Sequence, residues 1–157
     1  MNTGASILIP ARDAEHSLAK ALESAFQVET SAIFVADHGS TDKTLQVAQN
    51  YSKRKVQTID ASSCKNIAEV RQALLDLADT EYAVWLDADD ELLPGRVKRI
   101  ISSLENNQAD LYFDASELVQ GNRTKTLPMP SFASNNPEAH CRNFERCFLP
   151  SPGVPGV

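Results

Sequence analysis

The sequence predicts an α/β protein in which a mostly parallel sheet is flanked by helices. Two observations carry this prediction. Short apolar segments alternate with amphipathic helical segments over the first two-thirds of the chain. The apolar segments are nearly continuous runs, which is typical of parallel strands that are buried on both faces. Strand–helix alternation at this spacing indicates βαβ units with right-handed crossovers, and 157 residues suffice for one hydrophobic core.

Five strands are predicted from these runs, at residues 5–9, 32–37, 56–60, 82–87 and 111–116. The third alternates between apolar and polar residues, as a strand near an edge does. The first is expected to stop at Pro10, because proline has no backbone N–H to donate. The sequence "QGNR" at residues 120–123 predicts a hairpin turn before "TKTL".

Helical periodicity predicts one helix after each of the first four strands. The second can be capped by a side chain of residues 40–42 and is expected to reach about Lys53. Pro94 and Gly95 are expected to open the fourth. The residues expected to face the core from the first, third and fourth helices are Leu18, Leu22, Phe26, Ile67, Val70, Leu74, Leu77, Val97, Ile100, Ile101 and Leu104.

Charge and cysteine content narrow the function classes. A net charge of −6 argues against a nucleic-acid partner. The odd number of cysteines (Cys64, Cys141 and Cys147) and the absence of a signal peptide favour reduced thiols in a cytoplasmic protein. His140 beside Cys141 is a weak indication of a metal site, and structural thiols are the favoured interpretation. No apolar run approaches the roughly 18 residues of a membrane span. We expect a cytoplasmic protein or one peripheral to the inner face of a membrane, and an anchor elsewhere in a longer protein stays open.

The character of the sequence changes near residue 128, where proline and asparagine become frequent and periodicity fades. We therefore expect an α/β domain over residues 1–127 and an irregular segment over residues 128–157. The last eight residues, "PSPGVPGV", hold three prolines and two glycines and are not expected to form a capped element. The C-terminal part is accordingly expected to be incomplete.

Polar residues follow the predicted strands at three places. They are Asp13 after the first strand, Asp37 and His38 after the second, and Asp87 and Asp89 after the fourth. Ligands of parallel α/β sheets bind beyond the carboxyl ends of the strands. These side chains are therefore expected to converge on one edge of the sheet and to form a ligand site there.

The sequence "WLDADDELLP" at residues 85–94 carries the densest group of acids. Asp87 and Asp89 offer the oxygen ligands that Mg²⁺ or Mn²⁺ prefers, and a diphosphate can complete the coordination. Asp90 and Glu91 have two equally good interpretations. They support the site, or they are solvated acids that the dipole of the following helix favours.

Three motifs occur in order: "SILIPARDAEHSLAKALESAFQ", "VADHGSTDKT" and "NIAEVRQALLDLADTEYAVWLDADDELLPGRV". With them, residues 6–101 resemble the nucleotide-binding part of a family 2 glycosyltransferase of the GT-A fold, a Rossmann-like fold of nucleotide-diphospho-sugar transferases. The resemblance implies transfer of a sugar from a nucleotide-diphosphate donor to an acceptor hydroxyl, with inversion and with Mn²⁺ or Mg²⁺ as cofactor. It also assigns residues 1–127 to nucleotide-sugar binding and the C-terminal segment to the acceptor side. The acceptor, whether saccharide, lipid or protein, is not specified.

The resemblance also implies site residues. The metal ligand would be Asp89, with Asp87 in the ribose contact or the metal shell. The nucleotide-binding residues would be Pro10, Ala11, Arg12, Asp13, Asp37, His38, Arg71, Asp87 and Ala88.

Two of these positions depart from the family pattern. Arg12 stands where the family usually has an aromatic residue, and a guanidinium can stack on a base as well. His38 stands where a second acid is usual, and an imidazole can still make one hydrogen bond to a base. The alternatives are a solvated turn residue for His38 and an ordinary exposed helix residue for Arg71.

No general base is identified in the chain. Such a carboxylate lies well beyond the Asp-x-Asp in the family, and Glu138 and Glu145 fit no family motif. A second hypothesis is therefore a non-catalytic nucleotide-sugar-binding module. A third, a nucleotidyltransferase, lacks the glycine-rich, lysine-bearing phosphate loop that would support it.

Overall fold

The computed structural model describes residues 2–108, 110–112, 115–120 and 122–127. The chain divides into two compact units, Met1–Tyr112 and Phe113–Val157. The elements of the first unit are β1 (Asn2–Ala11), α1 (Leu18–Ala25), β2 (Thr30–Asp37), α2 (Thr44–Asn50), a 3₁₀ turn (Ser52–Arg54), β3 (Val56–Asp60), α3 (Ile67–Leu77), β4 (Thr80–Trp85) and α4 (Arg96–Asn107). The second unit contains β5 (Ser116–Gln120) and β6 (Arg123–Leu127).

The first unit contains a four-stranded parallel sheet in the order β3-β2-β1-β4. The parallel α/β architecture predicted from the sequence is therefore confirmed. The first three strands are added in one direction across the sheet. The chain then crosses back through α3 and places β4 on the other side of β1.

The core lies on both faces of this sheet. Residues on one face of the strands, such as Ile9 and Val35, pack with α1, α2 and α4. Leu8 and Phe34 point to the opposite face and pack against α3, because successive side chains of a strand alternate between faces. The result is a three-layer arrangement with α1 and α3 on opposite sides of the sheet.

Pro10 does not end the first strand, contrary to expectation. It lies within β1, in register with Ala36. The carbonyl of Leu8 accepts a bond from Leu86 on the β4 side, and the carbonyl of Ala11 accepts one from His38 on the β2 side. Since backbone groups alternate along a strand, the nitrogen of Pro10 faces the β4 side. The β4 pairing has ended there, so no ladder bond is lost.

Two helices differ from their predicted extent or orientation. In α3, Val70 and Leu74 are fully buried as predicted, but Ile67 and Leu77 are 49% and 39% exposed. Only the middle turns of α3 cover the sheet, so the apolar residues at its two ends remain in water. Helix α2 ends at Asn50, and a 3₁₀ turn continues the chain to Arg54.

The predicted strand at residues 111–116 is wrong for Leu111 and Tyr112, which are in neither helix nor strand. β5 instead begins at Ser116. The hairpin is confirmed, since β5 and β6 are antiparallel and Gln120 is paired with Arg123. Residues 113 and 114 lie outside the described residues, as do His140, Cys141, Cys147 and the two glutamates considered as bases. The expected domain boundary after residue 127 stays a prediction.

Candidate functional site at the carboxyl edge of the sheet

The strand order creates a topological switch point between β1 and β4. The chain leaves β1 through α1 on one face of the sheet and reaches β4 through α3 on the other face. A crevice opens at the carboxyl ends of two such strands, and this is where doubly wound sheets bind ligands. Arg12 and Asp13 follow β1 at this crevice, and Asp87 and Asp89 follow β4.

The loop after β1 is fixed to the loop after β2 through Asp13. Asp13 adopts a left-handed backbone conformation, with φ of 47°, which is uncommon outside glycine, asparagine and aspartate. Its Oδ1 accepts bonds from the backbone N–H and the hydroxyl of Thr41 at 2.7 and 3.1 Å. Its own N–H donates to the hydroxyl of Ser40 at 3.0 Å. Asp13 therefore positions a loop in this structure, whatever else it contacts.

A second set of hydrogen bonds joins the same two loops at the next residues, Ala14 and Glu15 on one side and Asp42 and Thr44 on the other. The hydroxyl of Thr44 accepts the N–H of Ala14 at 2.7 Å and donates to the carboxylate of Asp42. Asp42 also accepts the N–H of Glu15 at 3.0 Å. Burial by itself would raise the pKa of Asp42, but the bonds from Thr44 and Glu15 outweigh it and hold the pKa below its usual value. The sequence "GSTD" thus serves turn and loop structure, as expected from its composition.

Asp37 and His38 lie at the end of β2 and are both held by neighbours. Asp37 is 7% exposed, and its carboxylate accepts bonds from the N–H and the hydroxyl of Ser40. The Nε2 of His38 lies 2.9 Å from the carbonyl oxygen of Cys64. Because a carbonyl oxygen only accepts, Nε2 is the nitrogen that donates in this contact.

The acidic segment after β4 alternates in burial. Leu86 and Ala88 are buried, whereas Asp87 and Asp89 are exposed. The N–H of Asp90 donates to the carbonyl of Asp87 at 3.0 Å, which closes a turn over these residues. Burial, followed by the charges of Asp89 and Asp87, raises the pKa of Asp90. The turn therefore concentrates negative charge at the crevice.

Arg71 reaches this segment from α3. Its Nη2 donates to Oδ1 of Asp87 at 3.0 Å. The guanidinium carbon lies 5.6 Å from the centre of the Trp85 ring, within the range of a cation–π contact. Its Nε is buried and has no hydrogen-bond partner among the described residues. Arg71 therefore offsets part of the negative charge of the acidic turn.

The fit of a metal ion rests on the donor set. Asp87 and Asp89 offer hard carboxylate oxygens on the exposed side of the turn. Within the described part of the chain, no three His, Cys, Asp or Glu side chains are close enough to hold a metal by themselves. A Mg²⁺ or Mn²⁺ ion held by one or two carboxylates and by substrate phosphates fits this arrangement. A closed structural site does not.

The structure brings some of the predicted residues together and leaves others apart. Arg71 and Asp87 contact each other, and Asp13 and Asp37 are both bonded to Ser40. Pro10, Ala11 and Ala88 are buried. Within the described residues, no hydrogen bond joins Asp37 or His38 to the Asp87–Asp89 turn.

Sequence reasoning missed the contact of Trp85 with Arg71 and the use of the Cys64 carbonyl by His38. No local signal points to a carbonyl 26 residues away. For the first contact, the one signal in the sequence was a tryptophan at the end of an apolar strand, directly before the acidic turn.

A sequence model of the family described as glycosyl transferase family 2 matches residues 6–154. Because the match covers most of its length, the chain belongs to this family. One similar protein is the Escherichia coli UDP-Glc:alpha-D-GlcNAc-diphosphoundecaprenol beta-1,3-glucosyltransferase WfgD, which is 24% identical over 120 residues, or 74% of this chain and 47% of the relative. Another is the Staphylococcus aureus poly(ribitol-phosphate) beta-N-acetylglucosaminyltransferase TarS, at 23% identity over 94% of this chain and 26% of the relative. The chain thus spans half or less of the length of these relatives.

Solved structures share the fold. The structure of S. aureus TarS 1–349 in complex with UDP has a TM-score of 0.60 and 22% identity, covering 83% of this chain and 40% of that one. The mannosyltransferase PcManGT from Pyrobaculum calidifontis, in complex with GDP-Man and Mn²⁺, has a TM-score of 0.56 and 19% identity, covering 74% and 35%. The GT-A fold expected from the motifs is therefore confirmed. Within the described residues, no helix is long and apolar enough to cross a membrane.

Proposed function

We propose that the chain is the donor-binding part of an inverting, metal-dependent glycosyltransferase. It would move a sugar from a nucleotide-diphosphate donor to a hydroxyl of a saccharide, lipid or protein acceptor. The observation that carries the proposal is the acidic turn at the switch point, with Asp87 bonded to Arg71 and Asp89 exposed beside it. Membership of glycosyl transferase family 2 supports the transferase class.

The charges of the site suit a diphosphate bound with a metal ion. The acids of the turn would repel the two phosphates of the donor. A divalent cation bound by both the acids and the phosphates would remove that repulsion. In our proposal Asp89 is the main protein ligand of Mn²⁺ or Mg²⁺. When bound, the ion supplies Lewis-acid stabilisation of the departing nucleotide diphosphate. The proposal draws support from the relative solved with GDP-Man and Mn²⁺.

The protein side chains around the ion would orient the donor. Asp87, held by Arg71, would accept a hydrogen bond from a ribose hydroxyl or support the metal shell. Arg12 is 65% exposed at its side chain, and its Nε lies 3.9 Å from Oδ2 of Asp13. Its exposed guanidinium would stack on a base. The Nε2 of His38 is engaged by the Cys64 carbonyl, so Nδ1 would be the ring nitrogen that makes a hydrogen bond to a nucleobase. Pro10, Ala11 and Ala88 are buried, so their contribution would come from backbone groups that line the pocket.

Binding and transfer are tested separately. Calorimetry with UDP and with GDP, each with and without Mn²⁺, should show binding of one of them that depends on the metal. Binding that Mn²⁺ does not change would contradict the proposed site. The same samples, supplied with the matching nucleotide sugars, report release of the sugar. Since no general base is identified in the chain, transfer by this chain alone is expected to be slow or absent.

The second candidate is a nucleotide-sugar-binding module without catalysis. It is favoured because no general base is identified in the chain and because Arg12 and His38 depart from the family pattern. It predicts metal-dependent nucleotide binding with no sugar release, even when the chain is extended at its C-terminus. Turnover by an extended chain would exclude it. The cytoplasmic location and the two-domain division remain predictions.

A further inference from the structure

The segment after the acidic turn is held by the side chains of Ser24, in α1, and of Gln27, just after α1. Residues 91–93 are in neither helix, strand nor turn. The hydroxyl of Ser24 accepts the N–H of Leu92 at 2.9 Å and donates to the carbonyl of Ala21 at 2.8 Å. The acidic turn is thus followed, within a few residues, by a fixed point on a helix that is 68 residues away in the sequence.

Gln27 makes the second attachment and uses both ends of its amide. Its Nε2 donates to the carbonyl of Leu93 at 3.0 Å, and its Oε1 accepts the N–H of Val97 at 3.1 Å. Val97 lies in the first turn of α4, whose N–H groups have no partner inside the helix. The residue at the N-cap, Gly95, provides no capping side chain. Gln27 therefore takes the place of an N-cap residue for α4.

We propose that Ser24 and Gln27 are positioning residues for metal-dependent donor binding. This inference rests on the proposed function of the acidic turn. Asp89 lies between two fixed points: β4 on one side and the Ser24 and Gln27 bonds on the other. Mg²⁺ and similar divalent ions demand near-ideal coordination geometry. A carboxylate displaced by about half an ångström therefore binds them less well. Loosening the second fixed point should weaken metal binding more than nucleotide binding.

The first test is Gln27→Leu in the full chain, with Gln72→Leu as the matched control. The amide of Gln72 also makes a side-chain bond, to Asp76 at 2.7 Å, but within α3. The measured quantity is the Mn²⁺ concentration for half-maximal binding of the nucleoside diphosphate that the parent binds. Gln27→Leu should raise it about tenfold, because both bonds to the segment are lost. The metal-free nucleotide affinity should stay within about twofold of the parent, and Gln72→Leu should change neither.

A second pair of variants keeps the inference testable if Gln27→Leu folds poorly. Ser24→Ala removes the hydroxyl, and Ser24→Thr restores it at the same place. Ser24→Ala should raise the Mn²⁺ requirement, and Ser24→Thr should return it close to the parent. An unchanged Mn²⁺ requirement in folded Ser24→Ala would overturn the inference, as would an equal loss of metal-free and metal-dependent binding. Failure of the proposed function itself is distinguishable, since the parent would then show no Mn²⁺ dependence.

Discussion

Thr44→Val removes the hydroxyl that joins the loop after β1 to the loop after β2, while it keeps the shape of the side chain. Thr44 is fully buried. The change leaves the N–H of Ala14 without its partner and deprives the Asp42 carboxylate of one donor. An unsatisfied, partly buried N–H costs about 1–3 kcal/mol, and a bond to a charged group is worth about 1.5–3 kcal/mol. The extra apolar character of valine and the other bonds of Asp42 offset part of this, so we expect a net loss of about 2 kcal/mol.

Urea unfolding measures this loss directly. With a slope of roughly 2 kcal/mol per molar urea, typical of a small domain, the midpoint should fall by about 1 M. Thr41→Val is the matched control. The hydroxyl of Thr41 donates to Asp13 at an exposed position, and the variant keeps the shorter bond from the backbone N–H of residue 41 to Asp13. That variant should lose less than about 0.5 kcal/mol. Equal midpoints for Thr44→Val and the parent would refute the structural role assigned to the loop-to-loop bonds.

Two further predictions concern the core and the pH dependence of stability. Leu86→Asp should unfold the first unit, because Leu86 is 4% exposed and packs in the core. An unpaired buried charge costs at least about 3 kcal/mol. Loss of the far-UV circular dichroism signal would show the unfolding. For Asp42, the folded pKa lies below the ordinary value of 3.8, so its contribution is present above pH 3.8 and is lost as pH falls through the folded value. When the pH is lowered from 4 to about 2.5, the free energy of unfolding of Asp42→Asn should therefore fall less than that of the parent. Urea titrations at each pH measure this, and parallel curves of unfolding free energy against pH would contradict it.

The sequence was sufficient for the elements of the sheet because their apolar runs are local. The strand ending at Asp37 and the one over residues 56–60 lie close to where the runs placed them. Pro10 was misjudged because its cost depends on which neighbouring strand its nitrogen faces. Ile67 and Leu77 were misjudged because helical periodicity cannot tell how many turns of a helix the sheet covers.

The sequence predicts residues for the candidate site but not their arrangement. Residue types after each strand indicate the carboxyl edge as the ligand side, which stays a prediction. That β4 pairs with β1, and so brings Arg12 and Asp87 to the ends of neighbouring strands, depends on strand order, which periodicity does not encode. The attachment of the segment after the turn by Gln27 joins residues 66 and 70 positions apart. Only the folded structure brings such partners together.

The central claim is that Asp89 holds a divalent metal for a nucleotide-diphosphate donor, and one calorimetric comparison tests it most directly. Asp89→Ala and Asp110→Ala, an exposed aspartate outside the turn, are titrated with UDP and with GDP at saturating Mn²⁺ and without it. Both variants should stay folded, because neither carboxylate is buried. The account predicts that Asp89→Ala loses the Mn²⁺-dependent part of binding while Asp110→Ala keeps it. Metal-dependent binding by Asp89→Ala equal to that of the parent would contradict the account.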